Sequence, residues 1–228
     1  MKITALTCAV HRPEAWRLCE LYMSRQTVKP HQWIVLDDDL PKTVCTMGQD
    51  YIHCPEFKGP CSMAFKVWFA ITEKLIRGDV LVFIENDDWY SPVYLDRVCR
   101  EIDGYDLAGE GRAIYYNVRY RRWCEHNNEQ HSSLCSTAIK TTSAQHVLDA
   151  LDPGNPFLDE RLWRNSPVSK NIYLPKIQRM VVGIKGMPGP VGLGDGHGET
   201  GTPDPDLSKL RTLIGDDTAF YEQQSQRH

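Results

Sequence analysis

The chain has 228 residues, of which 41% are apolar and 25% charged, and its formal net charge is −4. That length can bury one sizeable core, and the negative balance excludes a protein that coats nucleic acid by bulk electrostatics. The longest apolar runs, such as Val80 to Ile84, are too short to span a bilayer.

Lys2 to Val10 (KITALTCAV) is apolar and β-branched. It predicts a first strand rather than a signal peptide, because no cleavage-site pattern accompanies it. Pro13 then opens a helix, PEAWRLCELYMSR, with Trp16, Leu18, Cys19, Tyr22 and Met23 as its apolar stripe. Gln32 to Leu36 predicts a second strand, which ends abruptly in Asp37-Asp38-Asp39. An irregular stretch runs through Pro60, and CSMAFKVWFAITEKLIRGD reads as a long helix closed by Gly78. Val80 to Ile84 has the continuous apolar character of a central strand in a parallel sheet. It too ends in acids, Glu85-Asn86-Asp87-Asp88, before a helix that starts at Pro92.

The β-α-β-α-β-α order implies an α/β fold with a parallel, doubly wound sheet. Ligands of such sheets lie beyond the C-terminal ends of the strands, where the strand order reverses. Both acidic clusters occupy that edge. In the second half, AIYYNVRY, SSLCSTAIK and IQRMVVGIK read as strands, and TSAQHVLDAL and DLSKLRTLIG as helices. No linker or repeat divides the chain, so one domain is expected over residues 1–228. Eight cysteines stand singly with no C-x-x-C pair, which reads as reduced thiols in a cytoplasmic protein.

Residues 181–206 hold eight glycines and four prolines. The three-residue period of Gly183, Gly186, Gly189 and Gly192 breaks at Gly194, too early for a collagen helix. Gly196 to Gly201 matches G-x-G-x-x-G, but no strand leads into it and no helix follows. What remains is a loop long enough to be a lid, spanning residues 183–205 and carrying His197 and Lys185.

Clustered carboxylates repel one another unless a cation or a hydrogen-bond network offsets the cost. Glu85, Asp87 and Asp88 suit Mg²⁺ or Mn²⁺ with open positions for phosphate; the alternative makes Asp88 a turn and cap residue before Ser91-Pro92. Asp37, Asp38 and Asp39 can accept hydrogen bonds from a ribose or a base, or can form a solvated turn before Pro41.

Together, "TCAVHRPEAWRLCELYMSRQTVKPHQWIVLDDDL" and "GDVLVFIENDDWYSPVYL" resemble family-2-type glycosyltransferases of the GT-A fold. The resemblance implies an N-terminal nucleotide-sugar half (1–105) and an acceptor half (106–228). It implies that Glu85-Asn86-Asp87 stands where the family has its metal-binding D-x-D motif, with Glu85 a departure from the usual Asp. Asp37 or Asp38 would then meet ribose or uracil, and Arg12 the diphosphate. Thr7, Glu85, Asn86 and Lys185 would complete the donor site, and Asp87, Asp88 and His197 would ligate the metal, Mn²⁺ or Mg²⁺. Asp159 or Glu160, in "NPFLDERLWRN", would supply a catalytic base; otherwise both are ordinary helix-start acids.

The implied activity is sugar transfer from a nucleotide sugar, UDP-linked, to a hydroxyl. The chain also resembles small phage-type members of the group, including enzymes that modify hydroxymethylated pyrimidines in DNA. For such an acceptor Arg119, Arg121, Arg122 and Trp123 would be the contacts, as basic and aromatic side chains suit phosphate and an extruded base. An ordinary sheet face is the other explanation of that stretch. Nucleotidyl transfer is the competing chemistry, but it calls for a glycine-rich loop after the first strand, and "TCAVHRPE" has no glycine. A non-catalytic nucleotide-sugar-binding module is the third class.

Overall fold

A computed structural model describes residues 1–54, 62–152, 154–155, 157–175, 178–190 and 196–222. Part of the glycine loop, residues 191–195, therefore lies outside the described residues, as does Cys61 at the start of the long predicted helix.

The main sheet has seven strands in the order β10-β6-β9-β4-β1-β2-β3. These are β1 (Ile3–Ala9), β2 (Gln32–Asp37), β3 (Asp50–His53), β4 (Val80–Phe83), β6 (Leu107–Glu110), β9 (Thr137–Lys140) and β10 (Lys170–Tyr173). The pairs β1–β2, β2–β3, β1–β4 and β6–β10 are parallel, whereas β9 runs antiparallel to both β4 and β6. The sheet is thus mainly parallel, with one reversed strand that the local pattern of SSLCSTAIK does not announce.

Side-chain alternation along the strands sorts apolar residues to the two faces. Trp33, Val35, Val80 and Val82 join one core, which includes Trp16 and Cys19 of α1 (Pro13–Ser24) and Leu95 and Val98 of α3 (Tyr94–Glu101). Ile34, Leu36, Leu81 and Phe83 join the other. That second core includes Val67 of α2 (Ser62–Thr72), Val147 of α4 (Gln145–Ala150) and Leu162 of α5 (Leu158–Asn165). Helix α2 stops well short of Gly78, since Lys74 takes a left-handed conformation with φ of 54° that α-helical residues do not adopt.

A second sheet of five strands has the order β12-β8-β7-β11-β5. It comprises β5 (Trp89–Tyr90), β7 (Ile114–Asn117), β8 (Arg122–Glu125), β11 (Val181–Lys185) and β12 (Thr202–Pro203). Its buried Tyr116 and Ile184 pack into the first core with Leu210 of α6 (Ser208–Ile214). Among the described residues no helix is long and apolar enough to cross a membrane.

Candidate functional site

The chain leaves β1 for β2 and β3 on one side, then returns to place β4 on the other side of β1. The strand order therefore reverses between β1 and β4, and the crevice opens at their C-terminal ends. One ion pair bridges it: Arg12, three residues beyond β1, places Nη1 2.5 Å from Oδ2 of Asp87, beyond β4. Both side chains are buried. The other edge of the guanidinium, Nε and Nη2, donates to the carbonyl oxygen of Pro190 at 2.9 and 2.6 Å. Asn86 Nδ2 donates to the Val10 carbonyl at 3.0 Å, which ties the β4 turn to the end of β1.

Lys185 reaches the same acids because β5 and β11 pair antiparallel, with Trp89 opposite Val182. Continuing that register carries the end of β11 alongside Asp87 and Asp88. Lys185 Nζ is 3.1 Å from Asp88, and 3.9 Å from both Glu85 and Asp87. Its far side faces the ring of Tyr115, 5.5 Å from the centroid. Burial alone would lower the pKa of this amine, but Asp87, Asp88 and Glu85 reverse the effect and hold it charged. Asp88 Oδ1 also accepts the Ile184 N–H at 2.9 Å, and its buried Oδ2 has no hydrogen-bond partner among the described residues. Lys185 is thus the last residue of a strand, and the loop proper begins at Gly186.

At the end of β2 the three acids have separate tasks. Asp37 is fully buried and accepts from the N–H groups of Thr43 and Asp39 and from the Tyr51 hydroxyl. Burial raises its pKa, but these hydrogen bonds outweigh burial and leave it lowered. Asp38 turns to Lys66 of α2, whose Nζ also donates to the Ala9 carbonyl at 2.7 Å. Asp39, the half-buried member, accepts the His11 N–H at 2.7 Å and so fixes the turn that leads to Arg12. Thr7, on β1, accepts from the Trp33 indole at 3.0 Å within the core.

The glycine loop is held at its described ends. Asn117, buried at the end of β7, donates from Nδ2 to the Gly196 carbonyl at 2.8 Å, and its Oδ1 accepts from Arg119 and Tyr120. Gly186 and Gly196 have φ of +82° and +89°, and a Cβ at either would press on Asn117 or Tyr115. Here glycine is a steric requirement. His197 is half-buried, and burial, with Lys185 and Arg12 nearby, brings its pKa down to about 4. Its imidazole is therefore neutral at neutral pH.

The two candidate bases part company. Asp159 is half-buried at the start of α5, and its Oδ2 accepts the Leu134 N–H at 3.2 Å. Burial raises its pKa against the pull of backbone N–H groups and His131. It lies close enough to Glu85 to act on that carboxyl electrostatically. Glu160 instead makes an exposed pair with Arg164 at 2.9 Å.

In the second sheet, Arg121 donates to the Pro205 carbonyl and Arg122 to that of Gly201. Trp123 is stacked under Lys209, and Arg119 lies over Tyr120. Sequence reasoning missed Lys66, Asn117 and Cys135, and of these only Lys66 left a signal, as the lone cation in the apolar run MAFKVWFA.

The divalent ion that the resemblance implies can be tested against these groups. Asp87 and Asp88 direct oxygens at Arg12 and Lys185, so an ion between them would meet two buried cations. The described acid groups whose ligand atoms lie within 4.8 Å are Glu85–Asp88–Cys135 and Asp37–Asp38–Asp39. The first brings in a thiol, a soft donor ill-suited to Mg²⁺. In the second, Asp37 and Asp38 are already engaged by hydrogen bonds and Lys66. The described residues as arranged do not fit a resident Mg²⁺ or Mn²⁺.

No family model matches the chain, and no curated protein matches it. Solved structures do. S. aureus TarS matches with a TM-score of 0.51 at 9% identity, over 81% of this chain and 37% of that one. S. aureus TarS 1–349 in complex with UDP-GlcNAc matches with a TM-score of 0.51 at 11% identity, over 89% of this chain and 62% of that one. This chain thus spans between 37% and 62% of the length of those structures. The likeness is one of fold: a GT-A, Rossmann-like nucleotide-diphospho-sugar transferase fold with a mainly parallel central sheet flanked by helices.

Proposed function

We propose that the chain is a glycosyltransferase that binds a nucleotide sugar, with UDP as the nucleotide, and passes the sugar to a hydroxyl acceptor. The observation that carries this reading is the Arg12–Asp87 pair spanning the β1–β4 crevice of a GT-A fold, where this architecture binds ligands. The likeness to a TarS structure holding UDP-GlcNAc supports the choice of donor.

In this reading Asp39 faces the ribose and Arg12 and Lys185 face the diphosphate. Asp159 accepts the proton of the acceptor hydroxyl as its oxygen bonds to the anomeric carbon and the bond to the diphosphate breaks. A base with a raised pKa is better matched to that task near neutral pH. His197, at the described end of the loop, would help to cover the site and exclude water.

A hydroxymethylated pyrimidine in DNA is one acceptor to test. It would approach Arg119, Arg121, Arg122 and Trp123, although two of these arginines hold backbone carbonyls. The deciding experiment incubates the chain with a panel of UDP-sugars, with hydroxymethylpyrimidine DNA, glycans and small alcohols as acceptors. UDP release is read together with product mass. Binding of UDP-sugars without turnover on any acceptor favours a binding module. Release of pyrophosphate from UTP and a sugar phosphate favours nucleotidyl transfer.

A further inference from the structure

We propose that the cations facing the donor's diphosphate are built into this chain: Lys185 and Arg12 take the place of a divalent ion, so donor binding needs no added metal. The inference rests on the nucleotide-sugar reading and goes beyond it by assigning the electrostatic role to particular side chains.

Three carboxylates, Glu85, Asp87 and Asp88, converge beyond β4, and two buried cations are already among them. Lys185 Nζ lies 3.1 Å from Asp88 and 3.9 Å from each of the other two, which makes it the centre of the cluster. It cannot swing out to make room. The β7–β11 pairing, with Lys185 opposite Asn117, fixes its backbone, Tyr115 covers its other side, and only 5% of its surface is exposed. Arg12 holds Asp87 with Nη1 and turns its Nε–Nη2 edge to a single carbonyl oxygen, that of Pro190. That edge carries the two parallel N–H groups with which a guanidinium takes two oxygens of a phosphate. A phosphate can therefore take the place of the Pro190 carbonyl without disturbing Asp87. Preorganised cations in a buried site stabilise a departing diphosphate as a metal would, with no ion to recruit.

The test measures UDP binding to the full chain by calorimetry in EDTA and in Mn²⁺, with electron paramagnetic resonance of Mn²⁺ as an independent readout. The expected result is affinity in EDTA within about threefold of that in Mn²⁺, a difference below one kcal/mol, and no protein-bound Mn²⁺ signal without UDP. Lys185→Met should weaken UDP binding in EDTA by about tenfold or more, in the range for losing a charge-assisted contact. It should also create a Mn²⁺ signal, because the three acids would lose their central cation. Where Lys185→Met fails to fold, Arg12→Lys provides the second variant. It keeps the charge but loses the two-pronged edge, and should weaken UDP in EDTA with the Mn²⁺ signal still absent. UDP binding that requires Mn²⁺ in the wild type overturns the inference and leaves the donor reading intact. No UDP binding under either condition overturns both.

Discussion

Lys66 and Asp38 form a buried ion pair at 2.6 Å, with side-chain exposures of 1% and 6%. Lys66 Nζ also holds the carbonyl of Ala9, the last residue of β1. This pair stitches α2 to the ends of β1 and β2 immediately below the crevice. Removing one member leaves an uncompensated charge in the core, which typically costs 3–5 kcal/mol, whereas replacing both is far milder. Lys66→Met and Asp38→Asn should each lower the denaturant midpoint sharply, and the double variant should recover much of the loss. A double-variant loss equal to the sum of the two single losses, measured by urea unfolding, would show that the pair is not coupled.

Glu110, at the end of β6, makes stability depend on pH. It is 3% exposed, and its Oε2 accepts the Met180 N–H at 2.8 Å, with Arg179 3.7 Å from Oε1. Burial outweighs both and pushes its pKa from 4.5 up to about 7. A raised folded-state pKa means that the native state holds the proton where the unfolded chain has lost it. Stability from this group is therefore full below about 4.5 and declines as pH rises towards 7. With about 1.4 kcal/mol per pKa unit, the whole decline is on the order of 3 kcal/mol. Glu110→Gln should flatten the stability profile across that window. An unchanged slope in chemical denaturation at several pH values would mean that Glu110 is ionised in the fold.

The sequence made the centre of this fold legible and its margins obscure. β1, β2 and β4 announced themselves because buried central strands need long apolar runs, and the acids at their ends marked the crevice. β3 and β10, with sequences DYIH and KNIY, are the edges of the main sheet and are half-buried at most positions. An edge strand needs little apolar surface, so nothing in the local text sets it apart. The reversed direction of β9 is a property of pairing, invisible to periodicity. It matters, because reversal brings its N-terminal end, with Cys135, to the acids beyond β4. The acids of the site were likewise readable, but their partners were not: Lys185 meets Asp88 across 97 residues of chain.

Asp159 and Glu160 should separate cleanly in kinetics. Asp159→Asn keeps the shape and an acceptor for the Leu134 N–H but cannot take a proton, so transfer should fall by about 10²–10⁴-fold, with UDP affinity unchanged. Glu160→Gln loses only an exposed i,i+4 pair, of the kind that contributes roughly 0.3–0.5 kcal/mol, and should retain transfer within a factor of about two. Comparable losses from both would remove Asp159 from the base position. A fall in UDP affinity for Asp159→Asn would make it a donor contact instead.

The glycine loop offers the last test, through Asn117. Its amide ties the turn after β7 to the glycine loop: Oδ1 accepts from the N–H groups of Arg119 and Tyr120, and Nδ2 donates to Gly196 and more distantly to Gly198. His197 lies between those two carbonyls, so one buried side chain sets where the imidazole stands. Asn117→Ala leaves several buried polar groups unanswered, at about 1–3 kcal/mol apiece where water does not replace the lost partner. Much of that penalty can be relieved if the loop end lets go. Amide exchange over residues 196–201 should then rise strongly in the variant, while β1 and β4 stay protected as in the wild type. If the loop closes over a donor, UDP-sugar should restore protection in the wild type and only partly in Asn117→Ala. Unchanged exchange in the variant would mean that packing of Gly196 against Tyr115 holds the loop without the amide.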